Sequence, residues 1–307
     1  MLGLFRRLFR RGGLRKGMNG EARGVFWSAV AATGAAFLLL LLYETRRPLR
    51  KQRESKLRRV ARNLTAGGLA LGAVTLLQTP FLVPVARWVA ERRFGLFHWI
   101  ALPRPVAIAL AVVLLDYTLW IWHRVNHVVP FFWRFHLVHH VDRDMDASTA
   151  FRFHFGEQSL SVGYRILQIA VLGADPLSLW IWQGLLSVSV VFHHSNSRLP
   201  VGLEKILCRI IVTPRMHGIH HSNYRNEANG NWSSLLSAWD YLHGTVLLGV
   251  PQNAITIGVP AYGREEDVTI GKILAMPFRR QREDWLGPDG PRLERPHDAS
   301  QERELAE

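Results

Sequence analysis

The sequence predicts an all-α integral membrane protein: a helical bundle of about four spans or hairpin segments, with a histidine-rich cap on one face. Three observations point there. Of the 307 residues 48% are hydrophobic, although the chain also carries 38 Lys and Arg. Long uncharged runs alternate with basic ends, which is how both can hold in one chain. Twelve of the 14 histidines fall between His123 and His243.

The elements follow in order. Residues 1–24 form a basic N-terminal tail. Val25 to Tyr43 is a run of 19 residues without charge. It is long for a signal-peptide core, and no small-residue cleavage site follows it, so it reads as a retained transmembrane helix. Residues 46–62 hold nine Lys or Arg. A second uncharged run, Gly67 to Ala86, contains Pro80 and Pro84, which predict a kink of a kind a membrane bundle tolerates. Residues 25–99 are thus the N-terminal transmembrane region. The linker 87–104 mixes Arg92, Arg93 and Arg104 with Phe94, Phe97 and Trp99, a composition suited to a membrane interface.

Residues 100–262 form the candidate catalytic domain. Its first run, Pro105 to Trp122, has one charged residue, Asp116, and passes without a break into His123. Gln158 to Phe192 is apolar but broken by Gly173-Ala174-Asp175-Pro176, which predicts a helical hairpin. Each arm is about sixteen residues, or about 24 Å, and either crosses or dips partway. Residues 263–307 read as a polar C-terminal tail, disordered or loosely attached from 279 onward.

The net charge of +14 raises nucleic acid as a partner. The charges sit beside the apolar runs, so anionic lipid is the better reading and no nucleic acid is expected. Counting crossings places every histidine cluster on one face. A cytosolic metal-binding cap agrees with the nine charges of 46–62, and it leaves the basic N-terminal tail outside, which fits less well. The single cysteine, Cys208, rules out an internal disulfide, a cysteine zinc site and an iron–sulfur cluster.

The histidine spacing carries the chemistry. His123 and His127 are four apart and share a helical face. His136, His139 and His140 share another, and His217, His220 and His221 repeat that pattern. Packing gives no reason for three such sets, whereas metal coordination does. Eight ligands exceed what one ion uses, so two ions are implied. Imidazole suits iron, zinc, copper and nickel alike, so the ligands do not choose the metal. Asp116 lies two turns below His123 and reads as a residue that orients a ligand, with an ion pair to Arg165 as the alternative. Asp240 takes the same reading, and Glu157 either supports a ligand or faces water.

These residues resemble a family. Asp116 through His127 is similar to the D-x-x-x-W-x-W-H-R-x-x-H stretch of the membrane fatty acid hydroxylase and sterol desaturase superfamily. Ala150-Phe151-Arg152-Phe153-His154 resembles its A-L-R-F-H segment, and His194-Ser195-Asn196 its H-S-N. Trp239-Asp240-Tyr241-Leu242-His243-Gly244-Thr245 is similar to W-D-R-L-F-G-T, with Tyr241 and His243 departing from it. The resemblance covers about residues 100–280. It implies two iron ions and O₂ as co-substrate, used to hydroxylate or desaturate a fatty acyl, alkyl-glycerol or sterol-like lipid. It adds His194 and His154 to the eight ligands read from spacing, and leaves His193 as an orienting or packing residue. It also implies an external electron donor or reductase, since the sequence shows no flavin or nicotinamide fingerprint. The rival readings are zinc as a substitute in a membrane hydrolase, and a non-catalytic metal-binding membrane protein. The sequence is silent on oligomeric state.

Overall fold

A computed structural model describes residues 20–286. Most of the basic tail, residues 1–19, and the end of the polar tail, from 287, lie outside the described residues. Among the described residues there is no β-strand, only isolated bridges. Among the described residues four helices are long and apolar enough to cross a membrane by length and composition.

Helix α1, Gly20–Arg46, has 27 residues and turns leucines such as Leu38 and Leu39 outward. Helix α2, Lys56–Leu77, begins inside the basic segment, well before the apolar run. It passes through a wide turn at Gln78–Leu82 into α3, Val83–Arg92. This wide turn is the kink the prolines predict. Pro80 has no N–H to offer the preceding turn, and a π-turn absorbs the missing bond.

Helix α4, Arg104–Val128, stops because Pro130 disfavours helical backbone at Val129. Pro130 then opens α5, Pro130–His140. The extended residue between them folds the second histidine cluster back over the first. The hairpin is α6, Phe155–Leu172, and α7, Pro176–His194. Its turn uses Gly173 at φ 64° to end α6, while the Asp175 carboxylate caps α7 by accepting from Leu177 N at 2.6 Å.

The hairpin crosses the whole bundle. At the far end Gly173 meets Gly95 so closely that a Cβ on Gly95 would lie 2.5 Å from Gly173 N. Glu21 and Arg104 pair at 2.9 Å and tie the start of α1 to the start of α4. At the opposite end Glu44 of α1 accepts from Asn196 N at 2.8 Å and pairs with Lys56 at 2.8 Å. The ends of α1 and α7 and the start of α2 therefore meet at the histidine end.

Two segments differ from expectation. Part of the basic stretch 46–62 is turned into protein: Arg50 and Arg59 are buried, while Arg46, Arg47, Lys51, Arg53 and Arg58 stay exposed. Arg59 is fully buried and pairs with Asp142 at 3.0 Å and with Asp146. Arg62 bridges Glu54 and Asp142. The reason stands in the sequence: Asp142, Asp144 and Asp146 follow the second histidine cluster and need cations. Burial alone would raise Asp142, but Arg59, Arg152 and Arg62 outweigh it and hold the carboxyl at about 2. The polar tail also starts later than its composition suggests. Val268, Ile273 and Met276 pack with Leu137, Val138 and Val141 into one core under α5. Trp133 Nε1 donates to Asp284 at 2.7 Å, and Arg282 pairs with Asp267 at 2.9 Å, so residues up to 284 are docked.

Candidate metal centre

Four helices deliver histidines to one place. Helix α4 gives His123 and His127, α5 gives His136, His139 and His140, and α7 gives His194 at its end. A short helix, α8, Pro214–His220, gives His217 and His220, with His221 as its cap. Thr213 starts α8 by accepting from Met216 N at 3.4 Å.

The histidines sort into two groups, each with its ligand atoms within 4.8 Å of one another. The first is His123, His127, His136, His140 and His220; the second is His139, His194, His217 and His221. This explains the H-x-x-H-H repeat. On α5 the pair four apart, His136 and His140, joins the first group while His139 turns to the second. On α8 the roles invert: His217 and His221 join the second group, and His220 the first. Two similar motifs thus bridge both groups in opposite senses.

The ring nitrogens suit metal. In the first group His123 Nδ1 donates to the Trp232 carbonyl at 2.7 Å and His220 Nδ1 to the Gly230 carbonyl at 2.8 Å. His136 Nδ1 donates to Glu157 Oε1 at 2.9 Å. A carbonyl only accepts, so the proton sits on Nδ1 and Nε2 is left as a lone pair. Nε2 of His127, His136, His140 and His220 is buried with no hydrogen-bond partner. Four buried ring nitrogens without a partner in one pocket, at least those of His136 and His220 lone pairs, are costly unless a cation satisfies them.

The second group argues the same way. His139 Nδ1 donates to the Arg152 carbonyl at 3.2 Å and His194 Nδ1 to the Val190 carbonyl at 2.8 Å. Their Nε2 atoms, both lone pairs, face each other at 3.0 Å. Nε2 of His217 stands 2.9 Å from that of His194 and 3.2 Å from that of His221. Lone pairs do not bond to one another. Nitrogens about 2.0–2.1 Å from a shared ion stand about 2.9–3.4 Å apart, which matches. Burial, then the neighbouring imidazoles, keeps His139, His140, His217 and His221 well below the usual histidine range. His220 lies at about 3, lowered chiefly by burial. Those five rings are neutral at pH 7, as metal ligation requires.

The remaining expectations resolve as follows. His154 belongs to neither group. Its Nδ1 accepts from Gly156 N at 2.9 Å and caps α6, and its Nε2 stands 3.1 Å from the Leu274 carbonyl. With one nitrogen accepting and the other donating, no lone pair remains for a metal. His193 packs its ring on His217 at 4.1 Å. Asp116 touches no histidine and does not pair with Arg165. It accepts from Trp239 Nε1 at 2.7 Å and Leu236 N at 3.1 Å. Asp240 acts one step away: it accepts from Trp232 N at 3.0 Å, and the Trp232 carbonyl holds His123. Glu157, left open by the sequence, is the carboxylate that touches a clustered histidine.

The sequence reading missed the role of Gly230-Asn231-Trp232. Asn231 adopts φ 52°, a left-handed conformation that asparagine tolerates better than most residues. Its amide donates to the Met216 and Leu247 carbonyls at 2.9 and 2.8 Å. The residues on either side each aim a carbonyl at a different histidine.

Two cavities reach the histidines. One, of about 300 Å³, lies between the helices and is lined by His123, His136, His139, His194 and His217 at its base. Leu119, Trp122, Leu186 and Val191 form apolar parts of its wall. The other, about 490 Å³, is a polar cleft in the cap lined by His127, Trp133, Arg225, Trp232 and Asp284.

Apolar helices of spanning length, joined to two buried histidine groups beside a bundle cavity, define an integral membrane protein with a candidate two-metal centre. Residues 108–245 match the fatty acid hydroxylase family. It is 28% identical over 226 residues to an ornithine lipid hydroxylase of Rhizobium tropici, covering 73% of this chain and 66% of that protein. It is 24% identical to the cholesterol 25-hydroxylase of Mus musculus, covering 49% of this chain and 54% of the relative. It is 29% identical to the alkylglycerol monooxygenase of Homo sapiens, covering 42% and 28%. The matches to these relatives thus span less than two thirds of their lengths. No solved structure matches.

Proposed function

We propose that the chain is an O₂-dependent lipid hydroxylase or desaturase with iron in both histidine groups. The observation that carries this reading is the pair of histidine sets, their Nε2 lone pairs facing inward, at the base of a cavity within the bundle. Bound iron would supply the electron transfer and O₂ activation needed to oxidise a C–H bond. The protein does the rest. The first group would hold one ion through His123, His127, His136, His140 and His220, and the second the other through His139, His194, His217 and His221. Glu157 and the carbonyls of Trp232, Gly230, Arg152 and Val190 keep the rings in the ligating tautomer. The bundle walls exclude water and present a lipid chain to His123, His136 and His194.

The substrate in this reading is a membrane lipid with a fatty acyl, alkyl-glycerol or sterol-like part, in keeping with what the relatives' names describe. Electrons come from a separate donor protein. The histidine end faces the cytosol, supported by the nine Lys and Arg of residues 46–62 at that end. A mononuclear zinc hydrolase would need only three or four of these ligands. A transporter would place its ligands near the midplane of the spans rather than at their ends.

The test is oxidation of membrane lipid by the purified chain supplied with iron, a reductant and O₂. Hydroxylated or desaturated lipid that forms only with O₂, and is lost in His136→Ala, supports the reading. Hydrolysis products formed anaerobically with bound zinc overturn it.

A further inference from the structure

The bundle cavity is not apolar throughout. Helix α6 lines it with Gln158, Ser161, Tyr164, Arg165 and Gln168, and α7 adds Gln183 and Ser187. Most of these are satisfied locally. Tyr164 Oη donates to the Thr118 carbonyl at 2.7 Å, and Gln168 Nε2 donates to Thr118 Oγ1 at 2.6 Å.

Gln168 Oε1 also lacks a partner, but Arg165 is the least satisfied of the set. Its guanidinium offers five N–H donors in a planar fork. One long bond runs from Nη1 to Gln183 Oε1 at 3.4 Å, and Nε is buried without a partner. The group lies over the Trp182 ring at 4.2 Å, which supports a cation without neutralising it. Among the described residues no carboxylate acts on it. Of the other buried arginines, Arg59 and Arg152 have Asp142 as their counter-ion, and Arg50, which has no ion pair, is instead held by Gln252 and the Pro214 carbonyl. An arginine that faces a cavity between the helices, with neither an anion nor a full set of acceptors, marks a site whose anion comes from outside the chain.

We propose that Arg165, with Gln183 beside it, binds the oxyanion of the lipid substrate, a carboxylate or phosphate head. This rests on reading the cavity as the lipid site. Arg165 is eight residues along α6 from Glu157, or about 12 Å at the rise of a helix. Glu157 holds His136, so a lipid anchored at Arg165 presents a carbon well removed from its head to the histidines. Oxidation is then measured from the head, and chain length sets which carbon reacts.

The full-length protein in detergent tests this with three radiolabelled probes: stearate, its methyl ester and stearyl phosphate. Binding is read at equilibrium with no reductant, so it does not depend on the oxidation chemistry. At least one of the two anions binds about tenfold or more tighter than the ester, and which one does so names the head. Arg165→Met abolishes that preference, and Arg165→Lys keeps part of it. Metal content, measured on the same samples, reports whether the variants are folded. Equal binding of ester and both anions by the wild-type protein overturns the proposal, even if neither variant folds. An anion preference that survives in folded Arg165→Met overturns it as well. Loss of lipid oxidation with the anion preference intact would instead count against the proposed activity alone.

Discussion

The two histidine groups are built from the same residue type and share α5 and α8, yet their surroundings differ. The first group touches both cavities, and His127 on its cleft side is only partly buried. The second group meets only the bundle cavity and is buried throughout. The first has a carboxylate behind one ligand, Glu157 on His136, while the Nδ1 partners in the second are backbone carbonyls. A carboxylate partner raises ligand basicity more than a carbonyl does. The difference teaches that two sites with similar ligands need not be equivalent. The first faces the polar cleft as well as the bundle cavity, and the second faces the bundle cavity alone of the two.

The largest effects come from removing a ligand of either group. His140→Ala and His221→Ala should each reduce lipid oxidation to background, because two ions acting together lose function as a unit. If one variant keeps substantial turnover, the groups do not share one reaction. Next is Glu157→Gln. It should weaken metal at the first group about 10–100-fold and leave the second unchanged, which competition with a chelator measures. Equal loss from both groups would erase the comparison.

Asp240→Asn is smaller. Asp240 accepts from Trp120 Nε1, Trp232 N, Ser233 N and Thr245 Oγ1, so the change should cost about 1–3 kcal/mol in stability. Metal loss should be confined to the first group, through Trp232 and His123; thermal melts with and without metal read both.

The smallest effect is on the cleft. Burial holds Asp284 up at about 6, against a smaller lowering by the Trp133 N–H. An unfolded aspartate titrates near about 3.9. Its folded value is raised, so its contribution is full below about pH 4 and is lost as pH rises through about 6. Amide exchange in residues 281–286, corrected for its intrinsic pH dependence, should speed up above about pH 6. Unchanged protection would show that Asp284 does not hold the segment.

Much of this was legible in the sequence because helical spacing is a geometric signal. His136, His139 and His140 must share a face, and eight histidines in three such sets imply two ions from spacing alone. The partition of each set between groups was not legible, since it depends on how α5 and α8 face each other. His154 shows the limit of residue type: only the hydrogen bonds reveal that both its nitrogens are spent. Asp116 shows a limit of spacing. Two helical turns are about 11 Å, too far to reach the His123 ring, and its partners Leu236 and Trp239 lie more than a hundred residues away. The carbonyls of Gly230 and Trp232 carry no side-chain signature, although Asn231 between them, directly after a glycine, marks unusual backbone.

The central claim is that two separate ions occupy the two histidine groups. Elemental analysis of the full-length protein, alongside His220→Ala and His217→Ala, tests it most directly. The account predicts about two iron ions per wild-type chain and about one in each variant, with the ion left in His217→Ala the more easily removed by a chelator. One ion per wild-type chain, or two retained in either variant, would contradict it.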